Sequence, residues 1–132
     1  MLKKLLLLAS MIYTAALVLV TLIDLEDIPS LGSSLDDKIY HLLAYVVLAF
    51  LWMSYARAFK SKEITAIIFI ALLLFGVFLE LVQHQINANR TYDIIDLLSN
   101  CLGVALGTFI ARILNVFKLN IFKALLFLFF IN

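Results

Sequence analysis

The sequence predicts an all-α integral membrane protein folded as a four-helix bundle, and two observations lead to this prediction. Of its 132 residues, 65% are hydrophobic and 14% are charged, so one small globule could not bury the apolar surface. In addition, four apolar stretches approach the length of about 20 residues that a helix needs to cross a hydrocarbon core of about 30 Å. We therefore expect a single transmembrane domain over residues 1–132, with spans at 5–23, 39–55, 64–81 and 94–114.

Both ends of the chain carry apolar segments that need separate explanation. The first span follows Lys3 and Lys4 and so resembles a signal peptide, but its apolar run is longer than usual and lacks a small-x-small cleavage site. We therefore expect a retained helix. The segment at 121–131 has 11 residues, about 16 Å as a helix, which is too short to cross. It is predicted to be a C-terminal interfacial segment.

Lys and Arg are distributed unequally between the two sides of the predicted bundle. With the N-terminus inside, the outer loops carry only Lys38 and Arg90. The other basic residues lie on the cytoplasmic side: Lys3, Lys4, Arg57, Lys60, Lys62, Arg112, Lys118 and Lys123. This bias predicts that both termini are cytoplasmic. The formal net charge of +1 gives no indication of a nucleic-acid partner.

Polar residues gather near the outer ends of three predicted spans. At a rise of 1.5 Å per residue, Glu80 lies roughly 24 Å along the third span, a few ångströms below the outer surface. Asp96 and Asn100 lie roughly 3 Å and 9 Å into the fourth span, and His41 is similarly shallow in the second. The three helix ends should therefore bring these side chains to one level.

Helical spacing sorts the polar residues onto shared faces, because residues three, four or seven apart lie on the same side of a helix. Three stripes result: Asp37, Lys38, His41 and Tyr45 on the second span; Glu80 and Gln83 on the third; Asp93, Asp96, Asn100, Gly103 and Gly107 on the fourth. Gly103 and Gly107 form a GxxxG pair, which permits close approach of a neighbouring helix. Ionisable groups at membrane depth rarely face lipid, so the stripes should face the bundle interior.

Helix capping is an alternative explanation for some of these residues. Asp37 and Asp93 stand where a carboxylate would cap a helix or complement its positive dipole end, and capping explains them as well as a binding role does. Glu80 is different, because it lies toward the negative, C-terminal end of its helix. A lone His41 would usually be structural, but its position beside an acidic turn and a tyrosine favours a functional role.

Three segments of the chain together resemble the VanZ-like family of small bacterial membrane proteins. They are DDKIYHLLAYVVLA from Asp36, GVFLELVQ from Gly76 and RTYDIIDLLSNCLGVALG from Arg90. The residues that match the family pattern are Asp37, Lys38, His41, Tyr45, Gly76, Glu80, Gln83, Arg90, Asp93, Asp96, Asn100, Gly103 and Gly107. The resemblance implies a multi-pass protein of the bacterial cytoplasmic membrane. The family takes its name from a member associated with resistance to the glycopeptide teicoplanin, but the resemblance supplies no biochemical mechanism.

The first functional hypothesis is a non-enzymatic envelope protein whose outward-facing pocket binds a polar head group, such as a lipid-linked cell-wall precursor or an anionic lipid. Lys38 and Arg90 would hold a phosphate. The carboxylates would repel a phosphate unless they pair with those cations or are protonated, so a cationic or peptide group is the alternative ligand. The residues of the predicted pocket are Asp37, Lys38, His41, Tyr45, Glu80, Gln83, Arg90, Asp93, Asp96 and Asn100. Gly76, Gly103 and Gly107 are assigned to helix packing, and no cofactor is predicted.

The second hypothesis is an enzyme acting on a lipid-linked substrate. His41, Glu80, Asp93 and Asp96 could hold Mg²⁺, Mn²⁺ or Ca²⁺, or act as acid and base. No hydrolase signature is evident, and no Ser or Cys stands at helical spacing from His41 as a nucleophile. A proton-coupled transporter is less favoured still, because four short spans carry no broken inverted repeats.

Overall fold

The computed structural model describes residues 1–22, 36–86, 93–116 and 127–128, and these contain four long α-helices. They are α1 at Leu2–Leu22, α2 at Asp36–Ala56, α3 at Lys62–Ile86 and α4 at Ile94–Ile113, with a 3₁₀ turn at Arg57–Phe59 after α2. Each of the four is long and apolar enough to cross a membrane. The prediction of an all-α protein with four candidate spans is therefore confirmed.

Three helices extend beyond their predicted spans, and α1 does so by beginning at Leu2 rather than at residue 5. α2 begins at Asp36 rather than at residue 39, and its first turn holds Asp36 and Asp37, where the positive end of the helix dipole favours carboxylates. α3 continues to Ile86 rather than ending at residue 81. Hydropathy marks only the part of a helix that is apolar, so it missed these polar ends. The predicted segment at 121–131 lies outside the described residues, apart from Phe127 and Leu128, which are exposed.

The core of the bundle is centred on α2, which packs most extensively against α4 and less so against α1 and α3. Its buried residues come from three helices: Tyr45, Leu48, Ala49, Met53, Leu72, Val104 and Ala111. α1 is joined to α2 by two side-chain hydrogen bonds. The Tyr13 hydroxyl donates to the Ala44 carbonyl at 3.0 Å, and the Trp52 indole donates to Thr14 Oγ1 at 3.0 Å.

Three glycines permit close contacts of α3 and α4 with α2. A Cβ atom added at Gly103 would lie 2.6 Å from the Leu42 carbonyl oxygen and 2.8 Å from Tyr45 Cβ, and one added at Gly107 would overlap the Val46 carbonyl oxygen. α4 therefore rests on the backbone of α2 at both positions. On α3, a Cβ at Gly76 would lie 3.1 Å from Tyr45 Cε1. The tyrosine ring is thus held between α3 and α4.

Candidate polar site at one end of the bundle

The beginnings of α2 and α4 and the end of α3 carry a group of polar side chains that we call the polar cluster. Its members are Asp37, Lys38, His41, Glu80, Asp93, Asp96 and Asn100. Within it, Glu80, Asp96 and Asn100 are buried although they are ionisable or strongly polar. Polar groups at membrane depth are costly unless they are paired, so their interactions determine what the cluster can do.

Lys38 is the centre of an ion-pair network that joins α2 to the start of α4. Its Nζ lies 2.7 Å from Asp93 Oδ2 and 3.1 Å from Asp96 Oδ1. The Asp96 side chain is only 8% exposed, whereas those of Lys38 and Asp93 are 20% and 34% exposed. One ammonium group therefore compensates two carboxylates, one of which has little access to water.

Asp93 has a second role as the N-cap of α4. Its Oδ1 accepts a hydrogen bond from the Ile95 backbone N–H at 2.8 Å, while its Oδ2 faces Lys38. The Lys38 ammonium beside Asp93 lowers the pKa of that carboxyl, and the Ile95 N–H lowers it further. Asp93 is therefore ionised at neutral pH. The sequence left capping and a site role as alternatives, and in the structure the cap and the contact with Lys38 occur together.

His41 links α2 to α4 through a hydrogen bond with Asn100. The His41 Nδ1 atom lies 3.0 Å from Asn100 Oδ1. An amide oxygen can only accept, so with Asn100 in this orientation Nδ1 is the donor and carries the proton. The other ring nitrogen, Nε2, lies 3.9 Å from Asp37 Oδ1. Nε2 is thus the atom available to accept a proton or to bind a metal.

Asp37, His41 and Asp96 are the residues best placed to hold a cation. Each offers one ligand atom, and the three atoms lie within 4.8 Å of one another. Carboxylate and imidazole ligands suit Mn²⁺ and similar divalent ions. Lys38 already pairs with Asp96, so a metal ion would compete with an existing ion pair.

Glu80 and Tyr45 place α3 beside this network. Tyr45 is 3% exposed and Glu80 is 6% exposed, and the two interact electrostatically. Gly76, one turn before Glu80, lies against both Tyr45 and Asn100. The buried polar groups of α3 and α4 are therefore brought together around the α2 tyrosine.

One predicted pocket residue is not brought into the cluster, and another is not described by the structure. Gln83 lies on the last turns of α3, is partly exposed, and makes no hydrogen bond to the cluster among the described residues. Arg90 lies outside the described residues. The sequence predicts that His41 and Asn100 both line the pocket, but it gives no indication that they share a hydrogen bond. Helical spacing relates residues on one helix and carries no signal about partners on another.

The fold and the cluster together define a class, which is a multi-pass membrane protein with clustered polar residues from three helices at one end. The chain belongs to the VanZ/LLP1 family, whose model matches residues 7–115. This confirms the resemblance seen in the sequence, and the match begins within α1, which none of the three resembling segments covers. No curated protein and no solved structure shows a significant match to the chain.

Proposed function

We propose that the polar cluster is the binding site of this membrane protein for the head group of a lipid-linked or other cell-wall component. The observation that carries this proposal is the burial of Glu80, Asp96 and Asn100 at the level of the Lys38 ion pairs. Apolar packing alone does not require such buried polar groups, and in membrane proteins they usually mark a ligand or ion site. We further propose that binding of a cell-wall component by this cluster contributes to resistance to glycopeptides such as teicoplanin.

The contacts of Lys38 favour a ligand that donates hydrogen bonds over a bare phosphate. The Lys38 ammonium contacts the carboxylates of both Asp93 and Asp96. Because Lys38 is already engaged by Asp93 and Asp96, it has little attraction left for an anion. A carboxylate can accept several hydrogen bonds, so an amine or a group of hydroxyls could bind the oxygens of Asp93 and Asp96 beside Lys38. We therefore expect the amine-bearing peptide part of a wall precursor to bind here.

A matched pair of probes tests this proposal. A lipid-linked muropeptide precursor with a free side-chain amine should bind the purified protein at least about tenfold more tightly than its N-acetylated form, since a charge-assisted hydrogen bond is lost. Glu80→Gln should weaken binding of the amine form. Glu63→Gln is the matched control, because Glu63 is an exposed carboxylate at the other end of α3. Equal binding of the two probes, or equal effects of the two variants, would refute the proposal.

The proposal also requires that the polar cluster faces outward, as the distribution of Lys and Arg predicts. In a Cys101→Ala background, Asn89→Cys should react with an impermeant thiol reagent added to intact cells. Lys4→Cys should react only after the cells are permeabilised. The reverse pattern would place both termini outside and exclude binding of an external wall component by this cluster.

A metal-dependent enzyme is the second candidate, and the proximity of Asp37, His41 and Asp96 favours it. Bound Mn²⁺ would polarise a substrate oxygen, with Nε2 of His41 as one ligand. Titration of the purified protein with Mn²⁺, followed by electron paramagnetic resonance, should detect a site that Asp37→Asn weakens. If neither binding nor turnover of the lipid-linked precursor is seen with Mn²⁺, the enzyme hypothesis fails and the binding proposal is unaffected.

A further inference from the structure

The opposite end of the bundle contains a cavity of about 890 Å³ that we call the basic pocket. Five cationic side chains line it: Lys3, Arg57, Lys60, Lys62 and Arg112. No carboxylate is among the described residues that line it, and within the described part of the chain no carboxylate forms an ion pair with any of the five. The pocket therefore has a strong positive charge that no carboxylate of the described residues compensates through an ion pair.

The fold holds two of these cations in place through neutral partners. Arg57 Nη1 donates to the Ala111 and Arg112 carbonyls at 3.2 Å and 3.1 Å, which satisfies backbone acceptors at the end of α4. Lys3 Nζ lies 3.9 Å from the centre of the Phe59 ring. Lys60 has a φ of 53°, the left-handed conformation that turns the chain from the 3₁₀ segment into α3. The charges are thus concentrated around one opening without being neutralised.

An apolar groove continues from the basic pocket between α3 and α4. This second cavity has a volume of about 310 Å³ and extends along Phe69, Ala105 and Phe109. The two cavities share four lining residues: Met53, Thr65, Thr108 and Arg112. A charged opening that leads into an apolar groove fits a molecule with an anionic head and a hydrocarbon chain.

Thr108 supplies an independent indication of a polar ligand at the junction of the two cavities. Its side chain is buried, with the residue 8% exposed, and its hydroxyl has no hydrogen-bond partner among the described residues. A buried hydroxyl without a partner costs free energy, and a ligand oxygen at this position would remove that cost.

We propose that the basic pocket binds the phosphate group of an anionic phospholipid whose acyl chain lies in the groove between α3 and α4. Arg112 and Lys62 would contact the phosphate, Arg112 with its bidentate fork, while the Thr108 hydroxyl donates to a phosphate or ester oxygen. Basic pockets between transmembrane helices bind lipid head groups in this way. The shared chemistry is phosphate recognition, and the groove distinguishes a lipid from free phosphate. The site lies at the end opposite the polar cluster, so it does not depend on what that cluster binds.

Lipid binding can be measured on the purified full chain by native mass spectrometry in a mild detergent. Phosphatidylglycerol should be retained, whereas phosphatidylcholine and inorganic phosphate should not bind or compete at the same concentration. Lys62→Gln should weaken phosphatidylglycerol binding about fivefold, because each basic group near an anionic head contributes about a factor of five. The double variant Lys62→Gln/Arg112→Gln should therefore weaken it about 30-fold. Lys4→Gln is the matched control, since Lys4 lies at the same end but does not line the cavity.

A second pair of variants tests the groove. Ala105→Trp should block the acyl chain and lower phosphatidylglycerol retention, whereas Ala71→Trp, at an exposed alanine outside the groove, should not.

Lys62→Arg should keep full binding, which shows that loss in Lys62→Gln does not come from misfolding. Equal retention of phosphatidylcholine, displacement by inorganic phosphate, or equal effects of Lys4→Gln and Lys62→Gln would overturn the proposal. Glu80→Gln should leave lipid retention unchanged, so failure here is distinguishable from failure at the polar cluster.

Discussion

Gly103→Ala should destabilise the bundle because it forces α2 and α4 apart. The added Cβ would meet two atoms that cannot rotate away, the Leu42 carbonyl oxygen at 2.6 Å and Tyr45 Cβ at 2.8 Å. Reaching an ordinary contact of 3.4 Å from the oxygen requires a displacement of about 0.8 Å. Such overpacking typically costs about 1–3 kcal/mol. Higher helix propensity of alanine offsets up to about 1 kcal/mol of this, so the net loss should be about 0–2 kcal/mol, and the loss relative to a glycine-to-alanine change without the clash should be about 1–3 kcal/mol.

Gly76→Ala is the matched control for this loss. It gains the same propensity, but its Cβ would meet the edge of the Tyr45 ring at 3.1 Å, which a small ring movement relieves. Trp52, the only tryptophan, reports unfolding by its fluorescence as SDS is titrated into mild detergent. Gly103→Ala should unfold at lower SDS, with a free energy of unfolding about 1 kcal/mol or more below that of Gly76→Ala. Equal stability of the two variants would refute the inference that the glycine backbone contact holds α2 to α4.

Three further predictions concern the polar cluster. Lys38→Met and Asp96→Asn should each destabilise the protein, and the double variant should lose less than the sum, with a coupling energy of about 1–3 kcal/mol in a double-mutant cycle. Since Lys38 lowers the pKa of Asp93, that carboxyl contributes stability above its ordinary pKa, and this contribution is lost as the pH falls below about 4. Unfolding measured against pH should show this loss, and Asp93→Asn should flatten the curve. Asn100→Leu should remove the acceptor for His41 Nδ1, and ¹⁵N NMR of the His41 ring should show a lower fraction of the Nδ1–H tautomer than in the native chain.

The fold could be predicted from the sequence because its signals are local. Hydropathy identifies four helices that are apolar over enough residues, and the 3.6-residue period places Asp96, Asn100 and Gly103 on one buried face of α4. The helix ends were harder to predict. At Asp36 the dipole stabilises acidic residues that lower the hydropathy, and near Ile86 the helix continues through polar residues.

The pairings within the site could not be predicted in the same way. Spacing along one helix shows which residues share a face, but partners on another helix depend on the rotation and depth of both. Lys38 could have remained available for an anion; instead it contacts Asp93 and Asp96. The bond between His41 and Asn100 likewise depends on how closely α4 approaches α2.

The glycine contacts and the polar pairings therefore depend on each other. Gly103 follows Asn100 by less than one helical turn and rests on the Leu42 carbonyl, directly after His41, so the distance that the glycine permits also sets the 3.0 Å contact between His41 and Asn100. If α4 moved outward by about 0.8 Å, this hydrogen bond would be lengthened beyond a normal range, and the two carboxylates would be drawn away from Lys38. A helix face that combines small residues with polar ones is what this geometry requires, because the polar pairings form only where the small residues let α4 approach α2 closely.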